Sequence, residues 1–476
     1  MAVPATGGVR YASTAGRWII AATVLGSAMA FLDGSVVNVA LPTIARDLHT
    51  GLTDLQWISD AYLLTLGALI ILGGSLGDRH GRRRVFVIGI VAFTVASMAC
   101  GLAPNTGVLI AARALQGVGG ALLTPGSLAL ISACFVPGDR ARAVGLWSGM
   151  GGAVAAGGPF VGGWLVDGVS WRAIFFINVP IAAAAVWMAV RHVPESRDDA
   201  VQHRLDYSGA ASISLGLAGV VYALIEGPGS GWPPATVIAA VVGAVLLLAF
   251  PVIELRRRWP MIPLRLFASR QFSGANLTTF AVYAALSSTF FLLVLHLQQD
   301  LHYSALQAGT SGLPAIILLT LFSARAGALG QRIGPQLPMT LGPITAAGGL
   351  LLLSAVRPGD SYIASIFPGI LLFGAGLTLT VAPLTAAVMA AVDGRHLGVG
   401  SAINNATARI GGLIAVAVVP ALAGLANASS HLAGISLTDG FASGMRISAG
   451  LLVVGGLLAA ATIRRVDPRQ ASMTPG

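Results

Sequence analysis

Fourteen apolar segments, most of them about 20 residues long, recur along this 476-residue chain. About 20 residues is what a helix needs to cross roughly 30 Å of hydrocarbon. Backbone polar groups find no water there, so segments of this length must satisfy their own N–H and C=O groups as helices. The sequence places the spans at 17–41, 55–77, 84–103, 107–131, 142–166, 172–190, 208–226, 235–254, 272–296, 307–330, 338–356, 362–392, 397–425 and 444–463. The expected fold class is therefore all-α and polytopic, with fourteen transmembrane helices.

The cations orient this series. All twenty-eight are arginine, and twenty-two fall in segments on one side of the alternation. The other side holds Arg46, Arg172, Arg357 and Arg446, while Arg113 and Arg409 lie within spans. Cytoplasmic loops carry such an excess of positive charge, so both termini are expected in the cytoplasm. Charged residues make up 10% of the chain, against about 25% in soluble domains. The net charge of +10 therefore belongs to short loops beside apolar spans, where it suits anionic membrane lipids rather than nucleic acid. The absence of lysine removes the phosphate-binding lysine of a nucleotide loop and any Schiff-base chemistry. Eight histidines show no metal-ligand spacing, and Cys100 and Cys134 read as small buried residues rather than a disulfide.

An internal repeat divides the chain. Gly74-Ser75-Leu76-Gly77-Asp78-Arg79-His80-Gly81 follows span two, and Gly327-Ala328-Leu329-Gly330-Gln331-Arg332-Ile333-Gly334 follows span ten. Five of the eight positions are identical, and the two loops lie eight spans apart on the same side. That separation equals a six-helix repeat plus two inserted helices. The expected organisation is an N-terminal six-helix bundle over 1–190, a linker with two additional helices over 191–271, and a C-terminal six-helix bundle with a short tail over 272–476. Parallel halves of this kind are a feature of the major facilitator fold.

The loop at Gly74–Arg84 resembles the signature loop of major facilitator transporters. Glycines permit a tight reversal between helices, and Asp78 can pair with arginine or stabilise a helix N-terminus. The resemblance implies a conformational latch built from Gly74, Asp78, Arg79, Gly81 and Arg82. Gln331 replaces the acid in the second copy, so that half is expected to lack an equivalent charge latch.

Asp33 stands inside span one, within Phe31-Leu32-Asp33-Gly34-Ser35-Val36-Val37-Asn38. A charge at the bilayer centre costs about 2.5–3.5 kcal/mol on insertion scales, so such residues face a cavity or a partner. Desolvation favours the protonated form of a carboxylate, which makes this position suited to proton carriage. Arg113 in span four opens the pattern Arg113-Ala114-Leu115-Gln116-Gly117 and is the obvious counter-charge. Both segments, and Gly158-Pro159-Phe160-Val161-Gly162-Gly163 in span five, resemble the fourteen-helix drug:proton antiporters of the EmrB/QacA-like family. The resemblance implies proton coupling by Asp33 and Arg113, and an antiporter motif at Gly158, Pro159, Gly162 and Gly163. Asn38, Gln116, Asn404 and Arg409 join Asp33 as cavity candidates. Asp60, Asp167 and Glu226 read as rim acids, with a proton or cation role open for Asp60, and Trp18, Trp57, Trp164, Trp171, Trp232 and Trp259 near span ends suit an interfacial belt.

These observations point to a monomeric, proton-driven exporter of lipophilic drugs, antibiotics or dyes in a bacterial cytoplasmic membrane. Its partners would be the substrate, protons and lipids, with no nucleic acid, nucleotide, metal or cofactor. An uptake symporter and a non-transporting membrane sensor on the same fold remain alternatives.

Overall fold

The computed structural model describes residues 8–197, 206–257, 260–393, 397–425 and 436–463. The middle of the expected linker after span six, and Trp259 of the expected interfacial belt, lie outside the described residues. The rest is helical. The first six long helices are α1 (Thr14–Leu48), α2 (Leu52–His80), α3 (Arg82–Gly101), α4 (Thr106–Cys134), α5 (Pro137–Gly168) and α6 (Asn178–His192). Next come α7 (Tyr207–Ser230), α8 (Pro234–Arg256), α9 (Arg270–Gln299) and α10 (Leu313–Ile333). The last are α11 (Gln336–Leu353), α12 (Phe367–Ala390), α13 (Leu397–Leu422) and α14 (Leu437–Thr462).

These fourteen helices occupy the fourteen expected spans. Among the described residues, thirteen stretches are long and apolar enough to cross a membrane. The exception is α5, whose run Gly149–Gly163 replaces apolar side chains with glycine. Local signals explain several starts. Ser13, Asn105, Ser269 and Ser436 each accept a backbone N–H of the following first turn, satisfying donors the helix cannot.

The chain forms two compact units. One comprises Met1–Val220, Ile238–Met261 and Ser304–Leu306; the other comprises Val221–Val237, Ile262–Tyr303 and Gln307–Gly476. Within the first, α4 packs on α2 and α3, and α1 packs on α5 and α6. Within the second, α12 packs on α10 and α11, and α9 packs on α13 and α14. Each partnership thus recurs eight helices later, which is the offset of the repeated loop. The repeated glycines lie in the last turns of α2 and α10 and face equivalent helices: Gly74 borders Pro125 on α4, and its counterpart Gly327 borders Ala382 on α12.

Glycine makes these pairs close. A methyl group at Gly73 would overlap the Ala121 carbonyl oxygen, and one at Gly119 would overlap the Phe93 backbone. In the second unit Gly349 meets Phe373 in the same way, and Gly376 meets Ala346. Lipid tails are as apolar as leucine, so helices in a membrane associate through such contact rather than through a hydrophobic drive. Cys100 and Cys134 are free and buried, as expected.

Candidate functional site

The centre of the first unit is a charged network drawn from four helices. Asp33 on α1 is 3% exposed and Arg113 on α4 is 2% exposed. The Arg113 Nη1 donates to Asp33 Oδ2 at 2.5 Å and to Gln116 Oε1 at 2.8 Å. Gln116 Nε2 donates in turn to Asp33 Oδ1 at 2.8 Å, so both carboxylate oxygens are engaged. Arg113 and Gln116 stand three residues apart on one helix, which puts them on one face. The guanidinium also donates through Nε to the Ile58 carbonyl of α2 at 3.0 Å and lies 4.4 Å from the centre of the Tyr62 ring. Cys100 of α3 closes the ring by donating its S–H to Gln116 Oε1 at 3.6 Å.

Sequence reasoning named Asp33, Arg113 and Gln116, and the structure brings these three together. The planar guanidinium explains why arginine suits the site: it meets the carboxylate, the amide and a backbone carbonyl simultaneously, which a lysine could not. Asn38, half-buried five residues further along α1, makes no hydrogen bond to the network among the described residues.

The glycine motif of α5 packs directly behind Asp33. Gly151 meets the Phe31 ring, Gly158 meets Ser35, and Gly162 meets Val36 at 2.9 Å from where a methyl would sit. A side chain at Gly158 would push α5 away from the turn of α1 that carries the carboxylate. Gly163 faces Ala305 and Leu306 instead. Pro159 lies inside the helix, where it removes one backbone hydrogen bond.

The loop between α2 and α3 is held by local charge. Asp78 Oδ1 accepts from Arg82 Nε at 2.7 Å, one helical turn on. Gly81 has φ +104, a region that side chains rarely adopt, and the Glu195 carboxylate lies 2.8 Å from where its Cβ would be. Glu195 accepts from the backbone N–H groups of Arg83 and Arg84, at 3.0 and 3.2 Å. Ser196 adds its carbonyl to Arg82 N–H at 2.8 Å. Sequence reasoning missed Glu195 because it sits 112 residues away, in what read as a linker. Its only signal was an acid in the segment returning to the arginine-rich side. Gly74 borders Pro125, and no ion pair of Arg79 occurs among the described residues.

In the second unit Asn404 on α13 donates to Asn276 Oδ1 at 3.2 Å and to Thr279 Oγ1 at 2.7 Å, both on α9. Arg409 lies on the same helix, partly buried and without a carboxylate partner among the described residues.

Two expectations change. Asp60 is no solvated rim acid: it is fully buried, and neither carboxylate oxygen has a partner among the described residues. Trp171 is 2% exposed rather than interfacial, and donates its indole N–H to Asp47 at 2.7 Å. Asp167 is exposed, as expected of a rim acid, and accepts from the backbone N–H groups of Ala305 and Leu306, at 3.1 and 2.8 Å.

Comparison with known proteins bears on this arrangement. The chain is 36% identical over 400 residues to a multidrug resistance protein, Stp, of Mycobacterium tuberculosis, covering 84% of this chain and 74% of that one. It is 32% identical to the tetracenomycin C resistance and export protein of Streptomyces glaucescens, with 84% and 74% covered. It is 35% identical over 459 residues to a methylenomycin A resistance protein of Streptomyces coelicolor, covering 95% and 93%. A crystal structure of a peptide transporter POT matches the fold with a TM-score of 0.70, over 95% of this chain and 96% of that one, at 15% identity. The sequence pattern of the Major Facilitator Superfamily matches residues 23–416. With its all-helical, multi-pass architecture, the chain belongs to the Major Facilitator Superfamily and is a membrane transporter rather than an enzyme.

Proposed function

We propose that this transporter is a proton-coupled exporter of the fourteen-helix EmrB/QacA-like kind. It moves lipophilic drugs, antibiotics or dyes across a bacterial cytoplasmic membrane, with both termini in the cytoplasm, and needs only the proton gradient. Relatives named for multidrug and antibiotic resistance support export. The observation that carries proton coupling is the Asp33–Arg113–Gln116 network, a buried carboxylate with both oxygens committed.

Protonating Asp33 removes the charge that Arg113 compensates and turns one acceptor oxygen into a donor. The network then needs a different arrangement of α1 against α4. That gives a carrier two states that differ in proton affinity, and a ligand shifts a conformational equilibrium only by such a difference. Outside protons load Asp33 as substrate leaves; loss of the proton inside favours rebinding. Alternating access of this kind is general to carriers built from two repeated bundles.

The test is dye flux in proteoliposomes under an imposed pH gradient. Movement of a lipophilic cation such as ethidium against the proton flow is expected. Accumulation in the same direction as protons would replace the antiporter with a symporter. The loop supplies a second test. Asp78→Ala removes the 2.7 Å pair with Arg82, which is partly exposed and worth at most about 1 kcal/mol to stability. Transport is expected to slow severalfold while substrate affinity and thermal stability stay near wild type. Unchanged exchange rates would remove the latch role.

A further inference from the structure

A groove of about 480 Å³ lies between α3 and α6, lined by Arg83, Arg84, Val87, Ile88, Val190 and Glu195. Its polar end is built around Glu195. That carboxylate is committed to the backbone N–H groups of Arg83 and Arg84 and lies 3.7 Å from the Arg83 guanidinium. Arg83 is further occupied by the Val193 carbonyl at 3.1 Å. The exposed Arg84 side chain has neither a hydrogen bond nor an ion pair among the described residues. One acid therefore faces two arginines, and one positive charge remains open at the mouth.

Below that charge the walls are apolar. Arg84, Ile88, Val91 and Val95 follow one stripe of α3, and the last three are 49%, 48% and 56% exposed. Val190 on α6 forms the other side, 56% exposed, and Trp187 three residues before it on the same helix is 50% exposed. Eleven residues of helix separate Arg84 from Val95, about 16 Å at 1.5 Å per residue. This is roughly half of a 30 Å hydrocarbon core, the depth of one leaflet. A cation at the mouth of the groove, and below the groove an exposed apolar stripe reaching the depth of one leaflet, match a single molecule with an acidic head and an acyl tail.

We infer that this groove binds an anionic phospholipid from the arginine-rich side of the membrane. Arg84 meets the headgroup phosphate, and the first part of one acyl chain lies between Ile88 and Val190. The segment carrying Glu195 closes the loop at Gly81, so the bound lipid also braces the contact between that loop and the end of α6. The site is independent of which substrate is carried and of the direction of transport.

The experiment is native mass spectrometry of the full chain in detergent, titrated with phosphatidylglycerol or phosphatidylcholine. Wild type should retain one phosphatidylglycerol in preference to phosphatidylcholine. A basic residue near a membrane surface contributes enough that Arg84→Gln should weaken this binding about fivefold. Val190→Trp leaves every charge in place and should weaken it by filling the slot. Equal retention of phosphatidylglycerol by wild type and both variants would overturn the site, as would equal retention of phosphatidylcholine. Displacement of the lipid by free glycerol 3-phosphate would instead reveal a site for a soluble phosphate and overturn the lipid assignment.

Discussion

Asp33→Asn is expected to reduce gradient-driven efflux to the level of empty liposomes while the protein still inserts. Asparagine keeps the size of the side chain but cannot take up or release a proton. Its NH₂ group also faces Gln116 Nε2 or Arg113 Nη1, donors that the carboxylate accepted from at 2.8 and 2.5 Å. The magnitudes are compatible with coupling. One proton gains about 2.3 kcal/mol per 100 mV of membrane potential and about 1.4 kcal/mol per unit of pH. Breaking a buried ion pair costs about 3–5 kcal/mol. A single proton driven by an ordinary gradient therefore carries an energy of the size needed to open this network, and a surface pair worth less than 1 kcal/mol would not be a match for it. The measurement is pH-jump flux with wild type and variant reconstituted at equal density. Undiminished efflux from a well-inserted Asp33→Asn protein would remove the carboxylate from the mechanism.

The second large effect concerns stability. Arg113→Ala should destabilise the protein by about 3–5 kcal/mol, because Asp33 is left buried without a counter-charge. It also opens the space that the guanidinium fills against the Tyr62 ring. The double variant Asp33→Asn/Arg113→Gln should cost less than Arg113→Ala alone, since it removes both charges and retains groups that can hydrogen-bond. Groups within one network are not additive, and the coupling measures the interaction. Thermal unfolding of wild type, Asp33→Asn, Arg113→Gln and the double variant in detergent provides the cycle, with Arg113→Ala measured beside it. Additive losses would mean that the two residues do not stabilise each other.

Much of the architecture was legible because membranes impose simple rules. Apolar runs of about 20 residues located the helices, and the repeat at Gly74 and Gly327 carried the eight-helix offset at which the packing recurs. The pair Asp33 and Arg113 was legible for the same reason: two opposite charges in hydrocarbon have few other places to go. Gln116 stood in the same motif as Arg113 and read as a cavity residue, but its bond to the carboxylate needed the fold. Glu195 was hidden, since capping a helix from 112 residues away leaves no local pattern. Asp60 was hidden differently. Its neighbours Trp57 and Tyr62 look interfacial in one dimension, and only the packing of α2 decides that the carboxylate is enclosed. Trp171 likewise reads as a belt residue until Asp47 is seen beside it.

Helix α5 has two glycine faces with opposite consequences. Gly151, Gly158 and Gly162 are seated against α1, whereas methyl groups at Gly145, Gly149, Gly152 or Gly157 would touch nothing. Contact explains the first set and not the second. A glycine inside a helix is about 1 kcal/mol less favourable than alanine, so those four positions leave α5 softer than its neighbours. The seams of α2, α3 and α4, with backbone against backbone, are by contrast stiff. Mechanically, the first unit is a rigid plate with one compliant strut, and that strut is anchored on the turn of α1 that holds Asp33. A rearrangement at the carboxylate would therefore collect its strain in α5, which can flex without unpacking the rest.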